Sequence, residues 1–143
     1  MADRFGSAFT SLDKSRTGPG SRFMSQFDSI KKDFSPNSTR KLYRPVLKMP
    51  QLLESNKKVP GYDKNYDEVI LSKDDIKSCF DPVIDKILSL VNDQVKAVER
   101  AGEPSVETIV LVGGLGSSPY VREELQRWCA SRKVRMTTPW SGA

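Results

Sequence analysis

The longest patterned stretch of the chain carries apolar side chains at Ile76, Phe80, Ile84, Ile87, Val91, Val95 and Val98. Steps of three and four residues put all seven on one helical face. Ser72 with Asp75 three residues on reads as a capping box, with Asp where Glu or Gln is usual. Ala101-Gly102 supplies a stop. The spacing therefore predicts one long helix between Ser72 and Ala101. Pro82 should kink it near Asp81, because proline has no N–H for the helical ladder. An earlier helix is predicted over 21–35, where Phe23, Phe27, Ile30 and Phe34 share a face and Pro36-Asn37 follows. Ile109-Val110-Leu111-Val112 is a continuous β-branched and apolar run, the pattern of a strand buried on both faces. A helix is expected over 119–131, with Leu125 and Trp128 turned to the sheet, and a second short strand over 134–137.

Before residue 72 the pattern weakens. Phe5, Phe9 and Leu12 suit a short amphipathic turn, and 14–20 reads as a loop by its glycine and proline content. Residues 40–49 look extended, with Pro45 arguing for an edge strand. Residues 51–64 are polar and contain Pro60-Gly61, a loop, and 68–71 is a short strand. The expected fold class is α/β: a buried strand flanked by helices in a larger part, 72–143, and a smaller helix-plus-strands part, 1–71. The strand at Ile109 should lack a full set of sheet neighbours, because the chain supplies few parallel strands.

Chemistry gathers where that strand ends. Gly113, Gly114 and Gly116 form a turn that lets backbone approach a ligand with no Cβ in the way. Ser118 is a candidate N-cap and Pro119 a candidate first helical residue. Strand, glycine turn and helix N-terminus together point N–H groups at an anion. Glycines at such a turn also serve tight packing alone, and the sequence does not choose between the two. A P-loop needs a lysine after its glycines, and none follows here. A dinucleotide fingerprint needs glycine or alanine where Pro119 stands. On the predicted 21–35 helix, Asp28, Lys31 and Ser35 fall at i, i+3 and i+7. They form a polar stripe presenting an acid, an ammonium and a hydroxyl to one ligand, or else Asp28 and Lys32 make an ordinary surface ion pair.

Composition narrows the classes further. No run of 18 apolar residues occurs in the 143, so no transmembrane helix is expected, and no signal-like apolar core opens the chain. A cytoplasmic protein is the expectation. Cys79 and Cys129 lack metal-ligand spacing and there is no histidine, which argues against zinc and against a His-activated nucleophile. Residues 1–60 hold 12 basic and 5 acidic residues, and residues 61–143 hold 11 and 13. That basic front half carries no nucleic-acid motif, so a solvated surface is preferred to nucleic-acid binding. The residues alone describe a binding module.

Three segments, in order, resemble the later part of the ATPase domain of the seventy-kilodalton heat-shock chaperones, of the actin-like superfamily. The family's glycine turn reads Leu-Val-Gly-Gly-Ser-Thr-Arg-Ile-Pro, and Leu111-Val112-Gly113-Gly114-Leu115-Gly116-Ser117-Ser118-Pro119 looks like a divergent version. The family helix Glu-Arg-Ala-Lys-Arg-Thr-Leu-Ser is matched by Asp28-Ser29-Ile30-Lys31-Lys32-Asp33-Phe34-Ser35. Asp81-Pro82-Val83 corresponds to an Asp-Pro-Val in the family's long helix. The resemblance implies an incomplete actin-like ATPase domain across 1–143. It implies ATP or ADP held by Asp28, Lys31 and Ser35 with Gly113, Gly114, Leu115, Gly116 and Ser117. Ser117 replaces the family's arginine against the adenine, which removes stacking and hydrogen-bonding capacity. The family's phosphate loops, catalytic lysine and magnesium-linked aspartates have no match, so magnesium would be held by an upstream part and no hydrolysis is expected. Client or co-chaperone proteins are the partners the family implies. The alternative is a non-catalytic remnant that binds a protein through its unpaired sheet edge.

Overall fold

The computed structural model describes residues Met1–Pro139 and is of mixed α/β character, with helices predominating over three small sheets. Positions 140–143, the end of the larger predicted part, lie outside the described residues. The chain divides into two compact units, one of Met1–Lys31 with Ser38–Asp75, the other of Lys32–Asn37 with the chain from Ile76 onward.

The first unit opens with three single-turn helices, α1 (Ala2–Phe5), α2 (Ser7–Thr10) and α3 (Lys14–Thr17). The last corrects the loop expected over 14–20. Asp13 accepts the Ser15 N–H at 2.8 Å and so caps a helical turn ahead of Gly18-Pro19-Gly20. Helix α4 (Arg22–Asp33) follows, its start held by the Met24 N–H on the Ser21 hydroxyl at 3.2 Å. Phe23 and Ile30 are buried, as the stripe predicts, and Phe27 is half-buried.

The predicted extended segments of this unit are broken into pairs of residues. Strand β1 (Leu42–Tyr43) precedes helix α5 (Pro50–Leu53), which interrupts the expected polar loop. Strands β2 (Tyr62–Asp63), β3 (Glu68–Val69) and β4 (Leu71–Ser72) complete the set. β2 pairs antiparallel with β3, and β1 with β4. The run 68–71 is thus one stretch divided between two partners, with the Ile70 N–H donating to Gly61 O at 2.8 Å between them. Pro45 lies beside this stretch, accepting the Val69 N–H at 2.9 Å through its carbonyl, which suits a residue with no N–H of its own. The buried Tyr62 hydroxyl ties the neighbouring backbone, donating to Leu47 O and accepting from Met49 N–H, both at 3.1 Å.

Helix α6 (Lys73–Arg100) begins in the first unit and continues unbroken through Pro82 in the second. Its capping box is present in both directions. The Ser72 N–H reaches Asp75 Oδ2 at 2.8 Å and the Asp75 N–H reaches Ser72 Oγ at 3.1 Å. Burial raises the Asp75 carboxyl's pKa, but the Ser72 and Arg4 donors outweigh it and hold the group below the usual carboxylate range. Along the apolar stripe Ile76, Phe80 and Ile84 are buried, whereas Ile87, Val91, Val95 and Val98 are half-buried.

The second unit then runs through strand β5 (Thr108–Val110), a 3-10 turn at Leu115–Ser117, helix α7 (Pro119–Ser131) and strand β6 (Arg135–Thr137). β5 and β6 pair in parallel, Ile109 facing Met136. α7 packs on β6 and buries Val121, Leu125, Trp128 and Cys129. The expected burial of β5 on both faces is corrected. Ile109 and Leu111 are half-buried, but Val110 is 58% and Val112 62% exposed. Alternate side chains point to opposite faces of a strand, and among the described residues nothing covers the face of Val110 and Val112.

Helices α6 and α7 end in the same motif with different residues at its left-handed position. After α6, the Glu103 N–H bonds Val98 O at 3.3 Å and the Gly102 N–H bonds Glu99 O at 3.1 Å, with Gly102 at φ +71°. After α7, the Val134 N–H bonds Cys129 O at 3.0 Å and the Lys133 N–H bonds Ala130 O at 3.3 Å, with Lys133 at φ +58°. Glycine enters this conformation without a Cβ penalty and lysine does not. Lys133→Gly should therefore stabilise the protein by about 0.5–1 kcal/mol, and Gly102→Ala should destabilise it by a similar amount. Guanidinium melts of the two variants check both signs.

Candidate functional site

The glycine turn is set by the β5 end and the α7 start. The Leu111 N–H donates to Thr137 O at 2.9 Å, carrying the strand pairing one residue past β5. Gly113 then turns the chain at φ +89°, and Gly114 follows at φ −63°, ψ −36°. The 3-10 turn closes through the Gly116 N–H on Gly113 O at 3.1 Å and the Ser117 N–H on Gly114 O at 3.2 Å. The Ser117 hydroxyl also donates to Gly114 O, at 2.6 Å. Ser118 occupies the N-cap position and Pro119 begins the helix, as the sequence predicts, but the Ser118 hydroxyl does not cap. It is buried and, among the described residues, has no hydrogen-bond partner. The N–H groups of Gly113, Gly114 and Leu115 likewise have no acceptor among the described residues, and all three residues are exposed.

The three glycines are there for different reasons. Gly113 is required by its positive φ. Gly116 is crowded: a Cβ there would lie 3.0 Å from Leu111 Cγ, so that side chain would have to give by a few tenths of an ångström. Gly114 is required by neither. Its backbone is right-handed helical, and a Cβ there would meet nothing within 4 Å. The local fold thus demands glycine at Gly113, crowds Gly116 and makes no demand at Gly114, over which the space is open.

Of the residues expected on the earlier helix, Asp28 and Lys31 come together as an ion pair at 2.7 Å, with side chains 50% and 38% exposed. The Lys31 ammonium also lies 5.2 Å from the centre of the Phe27 ring. Ser35 does not continue this stripe, because α4 stops at Asp33. A residue before proline is driven out of the helical region, and Ser35 precedes Pro36. Its hydroxyl instead donates to Glu123 Oε1 at 2.8 Å, while the Asn37 amide donates to Oε2 at 3.2 Å. Glu123 on α7 thereby holds the 32–37 segment within the second unit. Asp28 and Lys31 belong to the first unit, and Ser35 with Gly113, Gly114, Leu115, Gly116 and Ser117 to the second.

Sequence reasoning passed over a second polar cluster. Asp81 receives the Lys77 ammonium on Oδ2 and the Tyr120 hydroxyl on Oδ1, both at 2.7 Å. These donors hold the Asp81 carboxyl below its ordinary range, and Asp81 in turn pushes the Lys77 ammonium up. Burial first, then the bond to Asp81, raises the Tyr120 phenol. The Tyr120 ring meets Phe34 and Phe80 edge-on with centroids at 5.5 and 5.7 Å. The cluster pins α7 to α6 over an aromatic core. Lys77 and Asp81 are visible in sequence as an i, i+4 pair, but Tyr120 lies 39 residues away from Asp81 and carried no such signal.

Among the described residues no group of three or more His, Cys, Asp or Glu side chains is placed to hold a metal ion. Nor is any helix among them long and apolar enough to cross a membrane. No protein-family model, curated protein or solved structure matches the chain.

The glycine assignments separate by stability. Gly114→Ala should stabilise the protein by about 0.4–1 kcal/mol, since alanine fits its backbone and loses less entropy on folding. Gly113→Ala should cost about 1 kcal/mol or more through left-handed strain. Gly116→Ala should cost about 1–3 kcal/mol through crowding of Leu111. Chemical denaturation of the three single variants orders them.

Proposed function

We propose that the chain is an adenine-nucleotide-binding portion of a chaperone-like ATPase of the seventy-kilodalton heat-shock type, with an actin-like ATPase lobe as its parent fold and the cytoplasm as its setting. The observation that carries this reading is Gly114, a glycine demanded by neither its backbone angles nor its neighbours, beside three exposed N–H groups without acceptors. An anion that approaches the backbone is a reason for both features. The order of the three resembling segments supports the same reading. The turn offers N–H donors to phosphate oxygens. Ser117 offers a hydroxyl where a guanidinium would stack, which lowers the affinity expected for the base.

A second reading, a protein-interaction module, also has an observation behind it. Val110, Val112 and Leu115 are 58%, 62% and 50% exposed along one short stretch of β5 and the turn. Exposed apolar surface of this kind suits a protein partner.

Calorimetric titration with ADP separates the two. Gly114→Val should weaken ADP binding about tenfold or more by blocking approach to the backbone, taking a charge-assisted bond as roughly 1.5–3 kcal/mol. Lys58→Ala, an exposed charge outside the turn, should leave ADP binding unchanged. Equal affinities for the two variants, or no heat from the parent chain, would leave the interaction reading in its place.

A further inference from the structure

The second unit contains a cleft of about 860 Å³ lined by none of the glycine-turn residues. Its walls come from the last turns of α6, the 105–107 segment and the connection from α7 into β6. Four basic residues line it, Lys96, Arg132, Lys133 and Arg135, against two acids, Glu99 and Glu107. The surplus is local, because residues 61–143 as a whole hold 11 basic and 13 acidic residues.

Although both acids share the cleft, none of the four basic groups forms an ion pair among the described residues. Arg132 is held in place by other means. Its guanidinium lies 4.2 Å from the centre of the Trp128 ring and donates to Asn92 Oδ1 at 3.3 Å. Lys133 stands at φ +58°, where the matching position after α6 has glycine. The α7 dipole favours cations at its end and accounts for charge at Arg132 and Lys133. It does not account for Lys96, which precedes the last turn of α6, or for Arg135, which opens β6.

We propose that this cleft binds a small ligand carrying two or more linked phosphates. Four cations against two carboxylates leave an excess that a diphosphate group neutralises, and charge-assisted bonds from lysine and arginine to phosphate are strong for hydrogen bonds. The cleft falls within the size range of small-molecule sites, so it has room for an organic group beyond the phosphates. Lys133 keeps a charged side chain where glycine would relax the backbone, and that charge adds to those of Lys96 and Arg135 in the cleft. The assignment stands apart from the nucleotide reading, since it uses no residue of the turn or of α4.

The test is calorimetric titration of the purified chain with pyrophosphate. The parent should saturate at about 1 mM or below, and binding should weaken as salt is raised. Lys133→Gly should weaken pyrophosphate binding about tenfold while raising the melting temperature, a combination that a purely structural lysine does not give. Lys96→Gln with Arg135→Gln, both exposed positions, should weaken it further without unfolding the chain. Lys58→Gln, an exposed charge outside the cleft, should leave pyrophosphate affinity within about twofold of the parent. The proposal is overturned if the parent does not saturate, if Lys133→Gly binds as the parent does, or if Lys58→Gln causes the same loss.

Discussion

Parallel pairing of β5 with β6 is the constraint on which the second unit rests. Two strands running the same way cannot be joined by a hairpin, so the chain must cross over between them. Helix α7 is that crossover, and it buries Val121, Leu125 and Trp128 in doing so. The glycine turn is a consequence. The chain must leave the end of β5 and enter a helix within a few residues, and Gly113 reverses it at a φ closed to most side chains. The same crossover fixes the other end of α7, where Lys133 turns the chain back toward β6.

Packing and exposure then divide along the sheet. One face of β5 is half-covered and the other holds Val110 and Val112 in the open. Beneath α7, the ring contacts among Phe34, Phe80 and Tyr120 and the bonds of Asp81 give the unit its firm interior. Its two ends differ in charge and in geometry. Exposed N–H groups gather at the turn, and basic side chains gather in the cleft lined by Arg132–Arg135. Arg132 also ties α7 to α6 through Trp128 and Asn92, but the exposed N–H groups and the side chains of Lys96, Lys133 and Arg135 make no such bond among the described residues, which is the physical basis for assigning ligands to them.

Helix limits were legible in the sequence wherever a local signal sets them. Pro119 marks the first residue of α7, Ser72 and Asp75 cap α6 as their spacing predicts, and Gly102 ends it. The short capped turn at Asp13 was hidden by the glycines after it. Burial of β5 was misread because an apolar run reports a strand's side chains and not its neighbours. Ser35 was misplaced although Pro36, the residue that ends the helix, was in view. In the candidate site, the turn was readable from spacing, whereas the ion pair expected between Asp28 and Lys32 forms between Asp28 and Lys31. Glu123 and Tyr120 were not, since each acts on a segment far away in the chain. Lys133 carries no sign of its left-handed backbone, because its conformation is imposed by the return to β6.

The central claim is that the Gly113–Ser117 turn is a ligand site and not only a tight corner. The most direct measurement is an amide NMR titration of the chain with ADP. The account predicts saturable shifts concentrated on the N–H groups of Gly113, Gly114 and Leu115, which have no acceptor among the described residues. ADP titration that leaves those three amides unmoved, while the chain is folded, would contradict it.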